Sequence, residues 1–466
     1  MPEFPGVLAR RTLLRAAAGG AFAASAYPLL AGCDNGSGAA AAADYFGEPA
    51  ARPLDVVIFN GGFGEDYAKA HEAMFVERHP GAKVKHTATK TIRDDLDPRF
   101  LHGTPPDVMN NDGANAFVLG TLVNEGVLCD LTELLEAPSL DDPAAKVGDA
   151  LLPGTVTAGT FNGRLYSLNY ALTVFGLFRD AALWDRQGWQ PPKTWDEFLA
   201  LAPKMKAAGV APWAHAGQYP YYMGWPIADW IQKIGGREAA LRIDNLEPGA
   251  WRQDAVRTAI SMVIEMVRKG YVLPGSDKLS HTESQQALID GKAAILPCGT
   301  WLENEMKETL PAEVKLTIAP VWSASAGDKM PYETVRASAA GAFVVPTKAA
   351  NKAGGLEYLR IMLSRPAARK FSELTRSLSC VAGAADAVTG SAGLSSAAAV
   401  MKQAGPNTIS WRFNDWYGDL DKAWQAAIAE VMSGAITKPE DFSARLQRAA
   451  DDVAKDSSIT KYTRDE

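Results

Sequence analysis

Apolar residues recur along the chain in two alternating periods, one of two residues and one close to 3.6. Leu54 to Phe59 is a short apolar, β-rich run closed by Asn60-Gly61-Gly62-Phe63-Gly64. Beyond that turn Tyr67, Met74 and Phe75 fall on one helical face up to Pro80-Gly81, so the pattern predicts strand, glycine turn and helix. Ala82 to Thr89 alternates like a second strand, and Pro105-Pro106 leads into a third at Asp107-Val108-Met109. Thr194-Trp195-Asp196-Glu197 is a capping box, in which the hydroxyl takes a first-turn amide proton while Glu197 reaches back. Trp195, Phe198, Leu199, Ala202 and Met205 then face inward as far as Gly209, with a kink expected at Pro203. Ala255 to Val267 and Ala423 to Met432 read as further helices. This alternation, without an internal repeat, argues for α/β lobes on largely parallel sheets.

Residues 1–33 are patterned differently. Arg10-Arg11-Thr12-Leu13-Leu14-Arg15 precedes a small apolar stretch from Ala16 to Leu30, and Leu30-Ala31-Gly32-Cys33 ends it. The run is shorter than the roughly 20 residues that span a bilayer, so it reads as a signal peptide and not as a membrane helix. Its end resembles the lipoprotein consensus, which implies lipidation of Cys33; two acyl chains suffice for stable anchoring. The arginine pair resembles the twin-arginine export signal. An ordinary secretory signal is the alternative, and both lead outside the membrane. Asp34 to Pro53, rich in Gly, Ala and Ser, is expected as a flexible tether.

About 410 residues remain, enough for two lobes. The chain carries a formal net charge of −7, and because the signal holds three arginines and one glutamate, the remainder is more acidic still. Nothing in this balance invites nucleic acid. Apart from Cys33 there are Cys129, Cys298 and Cys380, with no C-x-x-C pair, read as small buried apolar residues with one disulfide left open. Twelve Trp and thirteen Tyr point the other way, towards a cleft lined with flat rings.

Familiar catalytic patterns fail on inspection. Gly62-Phe63-Gly64 follows a strand, but Tyr67 stands where a dinucleotide fingerprint needs its third glycine, and no acid ends the second strand. Gln286 replaces the first glycine of a phosphate loop ahead of Gly291-Lys292, and Ala293 its hydroxyl. The six histidines lack metal-ligand spacing, and there is no Gly-x-Ser-x-Gly elbow. No cofactor is implied. A carboxylate pair for glycoside hydrolysis stays open, since such acids lie far apart in sequence, with Glu303 and Glu305 the weakest of candidates.

Several segments resemble the extracellular solute-binding proteins that deliver sugars to ABC importers. Gly103-Thr104-Pro105-Pro106-Asp107-Val108, Pro192-Lys193-Thr194-Trp195-Asp196-Glu197-Phe198, Gly291-Lys292-Ala293-Ala294 with Gly299-Thr300-Trp301, and Val345-Pro346 with Asn351-Lys352 and Glu357-Tyr358-Leu359 are similar to its motifs, in family order. More narrowly, Val57-Ile58-Phe59-Asn60-Gly61-Gly62, Trp301-Leu302-Glu303-Asn304-Glu305 and Lys329-Met330-Pro331-Tyr332-Glu333-Thr334 resemble the actinobacterial lipoproteins that bind N-acetylglucosamine and N,N′-diacetylchitobiose. The resemblance implies a two-lobed periplasmic-binding-protein-like fold with a ligand cleft between lobes. One lobe would hold residues 54–169 plus 337–384, the other 170–336 plus 385–466. It also implies a monomer working with ABC permease subunits and, through them, a cytoplasmic ATPase, in place of catalysis. A surface-anchored glycosidase and a sugar-sensing receptor subunit are the alternatives.

A pyranose offers apolar C–H faces and a rim of hydroxyls, so its site needs rings together with fixed amides and carboxylates. Asn60 and Phe63 follow the first strand, and Asn111 and Asp112 the third, with Asp112 the best carboxylate or else an Asx turn. Tyr221 and Trp225 stand in an aromatic segment that resembles the subsite of maltose-binding members. Trp301 occupies the family's stacking position. Tyr170 falls at a crossover, as sugar ligand or hinge packing. Arg336 precedes another crossover and would fork onto an acetamido carbonyl or hold a carboxylate. Trp411, Asn414 and Trp416 match the family's last contact segment in place but not in letters.

Overall fold

The computed structural model describes residues 45–113, 115–152, 154–386 and 388–465. The signal peptide, Cys33 and the start of the expected tether lie outside them. Strands β1 (Leu54–Phe59), β2 (Val84–Thr89), β3 (Val108–Asn111), β4 (Thr160–Phe161), β5 (Arg164–Leu165), β6 (Leu168–Asp180), β7 (Leu296–Gly299), β8 (Leu316–Ala319), β9 (Val335–Val344), β10 (Leu378–Ser379) and β11 (Thr408–Ile409) alternate with helices. β1 and the helix Asp66–Arg78 fall where the two periods place them. Half of the capping box forms at the helix Trp195–Ala207, which runs continuously through Pro203: Thr194 Oγ1 accepts the Glu197 backbone N–H at 3.2 Å, while the Glu197 carboxylate takes the N–H of Lys193, one residue before the cap, at 2.6 Å.

Nine strands join in one sheet, ordered β10-β6-β9-β3-β1-β2, with β7 and β8 on the far half of β6 and β11 on β9. Pairing is parallel between β1 and β2, β1 and β3, and β9 and β11. All partners of β6, and the β3–β9 pair, are antiparallel, so the sheet is mixed where a largely parallel one was expected. Strand direction follows from chain path. The chain leaves its first core through β6 and returns through β9, so these neighbours must oppose each other, in register from Leu168↔Phe343 to Phe175↔Arg336.

β6 is buried almost throughout, unlike a strand with one wet face, because it passes from one core to another. Leu168, Tyr170 and Ala171 belong to a core built with Leu54, Val56, Ile58, Phe343 and Phe371. Leu172, Val174 and Phe178 belong to one with Leu296, Ile318 and Leu394. A further cluster holds most of the tryptophans, including the stacked pair Phe198 and Trp322, 4.6 Å apart at 15°. Nine of the twelve tryptophans are buried and only Trp225, Trp301 and Trp416 keep appreciable exposure, so the aromatic wealth of the chain is mainly core.

Residues 45–53, the end of the expected tether, are tied down. Phe46 packs on the first core, and the Asn351 amide donates to the carbonyls of Pro49 and Arg52, both at 2.8 Å. Cys129, Cys298 and Cys380 are all free thiols, the last two buried.

Candidate functional site

The helix Tyr221–Gly235 starts just after Pro220, whose fixed φ suits a helix entry. Its four-residue spacing sets Tyr221, Trp225, Asp229 and Lys233 in one row, from a half-exposed ring to a fully buried ammonium. Around Trp225 the rings converge. Tyr222 lies 4.5 Å from it, Phe175 of β6 4.7 Å, Tyr221 5.5 Å and Trp301 5.6 Å, with Trp301 edge-on at 75°. The Trp301 ring is folded over Gly299 so closely that a Cβ there would come within 2.0 Å of it, so any side chain at this position would displace the ring. Trp225 and Trp301 thus stand at right angles and partly open, a corner suited to apolar ring faces.

Arg336, paired through its backbone with Phe175, lays its guanidinium 5.1 Å from the centre of the Phe175 ring. Its Nε is buried without a hydrogen-bond partner. Burial lowers its basicity, and Asp229 is the largest influence raising it again. Asp229 is 2% exposed, its Oδ1 also lacks a partner, and burial pushes its carboxyl up against the pull of Arg336 and Lys233. Lys233 donates to the carbonyls of Val321 and Tyr332.

Asp112 accepts the Gly113 N–H at 2.8 Å and a further backbone N–H from Gly341, and burial still raises its carboxyl. Gly341 has φ +67 within β9, a left-handed setting that takes its N–H out of the ladder. Asp112 and Arg336 therefore mark two ends of the half-exposed small-residue stretch 337–340, roughly 16 Å apart at strand rise. Asn111 is spent on its own loop, exchanging bonds with the Phe117 backbone at 2.8 and 3.0 Å. Asn60 is half-buried, its backbone N–H donating to the Thr89 carbonyl. Phe63 turns away to pack 5.6 Å from Phe371. The same glycine turn still meets the ring corner, because Asn304 donates to the Gly62 carbonyl and a Cβ on Gly62 would stand 3.6 Å from Trp301 Cβ.

Tyr170 lies in the first core at 1% exposure, its hydroxyl committed to the Met362 carbonyl at 2.9 Å, which answers to hinge packing. Trp411 is buried against Phe413, and Trp416 is covered by Tyr462 at 5.4 Å. Asn414 bonds Asp415 at 3.0 Å. Glu303 is fixed by the Ser391 hydroxyl at 2.6 Å and the Gly393 amide at 3.0 Å, and Glu305 takes the Gln285 amide at 2.7 Å, so both acids serve structural partners.

Tyr221, Trp225, Trp301 and Arg336 thus come together, whereas Phe63, Tyr170 and Trp411 pack against other rings and the partly exposed Trp416 lies beside Tyr462. Phe175 and Asp229 stand beside the first group, and sequence reading singled out neither. Asp229 was within reach, four residues after Trp225 and eight after Tyr221. Phe175 was not, because an apolar residue inside a buried strand looks like any other core position. Asp415 keeps 55% of its side-chain surface and faces Arg412 at 3.6 Å.

The sequence profile of the bacterial extracellular solute-binding proteins matches residues 61–369. The chain is 34% identical to the diacetylchitobiose binding protein NgcE of Streptomyces coelicolor, over 98% of each. Among solved structures it resembles apo RafE from Streptococcus pneumoniae (TM-score 0.68, 18% identity, 86% of this chain and 98% of that one). It also resembles a chitin oligosaccharide binding protein (TM-score 0.62, 18% identity, 83% and 93%).

Proposed function

Because the chain belongs to the bacterial extracellular solute-binding protein family, we propose that it captures a sugar, N-acetylglucosamine or N,N′-diacetylchitobiose, for an ABC importer. The observation that carries the sugar reading is the open right-angled corner of Trp225 and Trp301 beside the uncommitted Arg336. Rings take the apolar sugar faces, while Arg336, Asp112 and Asn60 address the hydroxyl rim. Tyr221 extends the aromatic surface outward, and Asn414 closes the rim from the second lobe.

In this reading residues 54–169 plus 337–384 form one lobe and 170–336 plus 385–466 the other, with β6 and β9 as the floor between them. Sugar that touches both lobes stabilises the closed form by its differential affinity, and the permease subunits read that form. A cytoplasmic ATPase drives transfer. The mature monomer sits on the outer face of the membrane through lipid on Cys33, where tethering raises its effective concentration beside the importer.

A thermal-shift screen of the purified protein across mono- and disaccharides tests this. A ligand at 100 times its dissociation constant adds about 2.7 kcal/mol to the folded state, so the N-acetylated sugars should raise the melting point clearly. An unchanged melting point with all of them, and a rise with some other solute, would overturn the assignment.

A further inference from the structure

The buried charged groups around Arg336 are mostly committed. Asp244 binds Arg464 at 2.7 Å and accepts the backbone amides of Arg412 and Phe413, and Asp415 faces Arg412 at 3.6 Å. Lys233 is held by two carbonyls. Arg336 and Asp229 are different. Each is the other's strongest electrostatic influence, yet no ion pair within 4.0 Å joins them, and Arg336 Nε and Asp229 Oδ1 are buried without a hydrogen-bond partner among the described residues. Leaving a buried carboxylate and a guanidinium unmated is destabilising in a folded protein, so a pair kept apart in this way marks a place for a group that mates both.

The chemistry of that group follows from the donors and acceptors. A guanidinium only donates, and Asp229 in the ionised form that Arg336 and Lys233 favour against burial only accepts, so the fitting group presents an acceptor to one and a donor to the other. The wall beside them is apolar: Phe175 lies under Arg336, and Trp225 lies one helical turn before Asp229 and 4.7 Å from Phe175. An amide with a methyl group matches all three features, whereas a hydroxyl leaves the apolar wall bare. We propose that Asp229 and Arg336 together read an acetamido substituent of the bound sugar, Arg336 donating to its carbonyl oxygen and Asp229 accepting its N–H, with the methyl against Phe175 and Trp225. The proposal rests on the sugar-binding reading above and adds Asp229 as a specificity-determining residue.

Calorimetric titration of wild type, D229N, R336Q and R336K with N,N′-diacetylchitobiose, and with cellobiose by displacement, tests it. Cellobiose keeps the linkage and replaces each acetamido group by a hydroxyl. D229N and R336Q should each weaken diacetylchitobiose by about 30-fold or more and cellobiose by less than about 3-fold, because only the acetamido contacts are lost. R336K should recover part of the preference, since it keeps the charge without the fork. Ligand-free melting of each variant reports folding, and R336Q carries the test if D229N does not fold. Retention of the wild-type preference in R336Q, or equal loss for both sugars, would overturn the proposal and leave sugar binding intact. Failure of the wild type to bind either sugar would overturn the sugar reading itself, before any variant is compared.

Discussion

Asn304 donates its side-chain amide to the carbonyl of Gly62, so the turn after β1 is held against the segment that carries Trp301. The bond joins residues 242 positions apart and is almost wholly buried on the Asn304 side. It fixes how closely the glycine turn approaches the ring corner.

Asn304→Ala removes this link. Unfolding in urea should show a loss of about 1 kcal/mol, the usual net worth of such a bond. Small-angle scattering of the ligand-free variant should give a larger radius of gyration than wild type. An unchanged radius would mean that the bond does not hold the two segments together.

Trp301→Ala should abolish the thermal shift produced by N,N′-diacetylchitobiose while leaving a cooperative ligand-free transition. Trp301 keeps partial exposure, and Phe175, Tyr222 and Trp225 still pack on each other without it. Its removal should therefore destabilise by less than the about 3–5 kcal/mol typical of a fully buried tryptophan. A retained shift would place the sugar elsewhere.

Tyr170→Phe separates hinge packing from sugar contact. The hydroxyl bonds the Met362 carbonyl inside the core, so its loss should cost about 1–2 kcal/mol of stability. Sugar affinity by calorimetry should stay within about 2-fold of wild type, because a bond to the protein's own backbone contributes nothing to ligand binding. A large affinity loss at unchanged stability would contradict the placement.

His71 sets a pH dependence. It is fully buried beside Tyr67 and Tyr170, its Nε2–H donates to the Ala367 carbonyl at 2.9 Å, and burial pushes its pKa down to about 4 from the ordinary 6.5. Between those values the unfolded chain binds a proton that the folded protein refuses. Stability is therefore full above pH 6.5 and falls as pH drops towards 4, by up to about 1.4 kcal/mol per pH unit. His215, lowered by burial to about 4, adds in the same direction. His71→Gln should lose to wild type at pH 7.5 and lose less at pH 5, read from urea midpoints; an equal gap at both would refute the linkage.

Local pattern located the strands and helices well. β1 spans Leu54–Phe59 because an apolar β-rich run ends at a glycine turn, and the helix Trp195–Ala207 starts where Thr194 and Glu197 cap it. Trp301 was singled out by its setting after Gly299 and Thr300. Phe63, Trp411 and Trp416 could not be placed from sequence for a simple reason: an aromatic residue in a loop carries no mark of whether it turns towards core or cleft. Phe63 meets Phe371, more than 300 residues away, and Trp416 meets Tyr462 near the end of the chain.

The sequence by itself determined the α/β alternation, the glycine turns and a set of polar and aromatic candidates, because period, turn chemistry and capping act over a few residues. Tertiary structure decided strand direction, since the outward pass through β6 and the return through β9 are separated by the whole of residues 181–334. It also decided which charges stay uncommitted. Sequence marked Arg336 as a candidate and left Asp229 unmarked, and only the folded chain brings them together beside Phe175 and Trp225, near enough to influence each other and too far apart to pair.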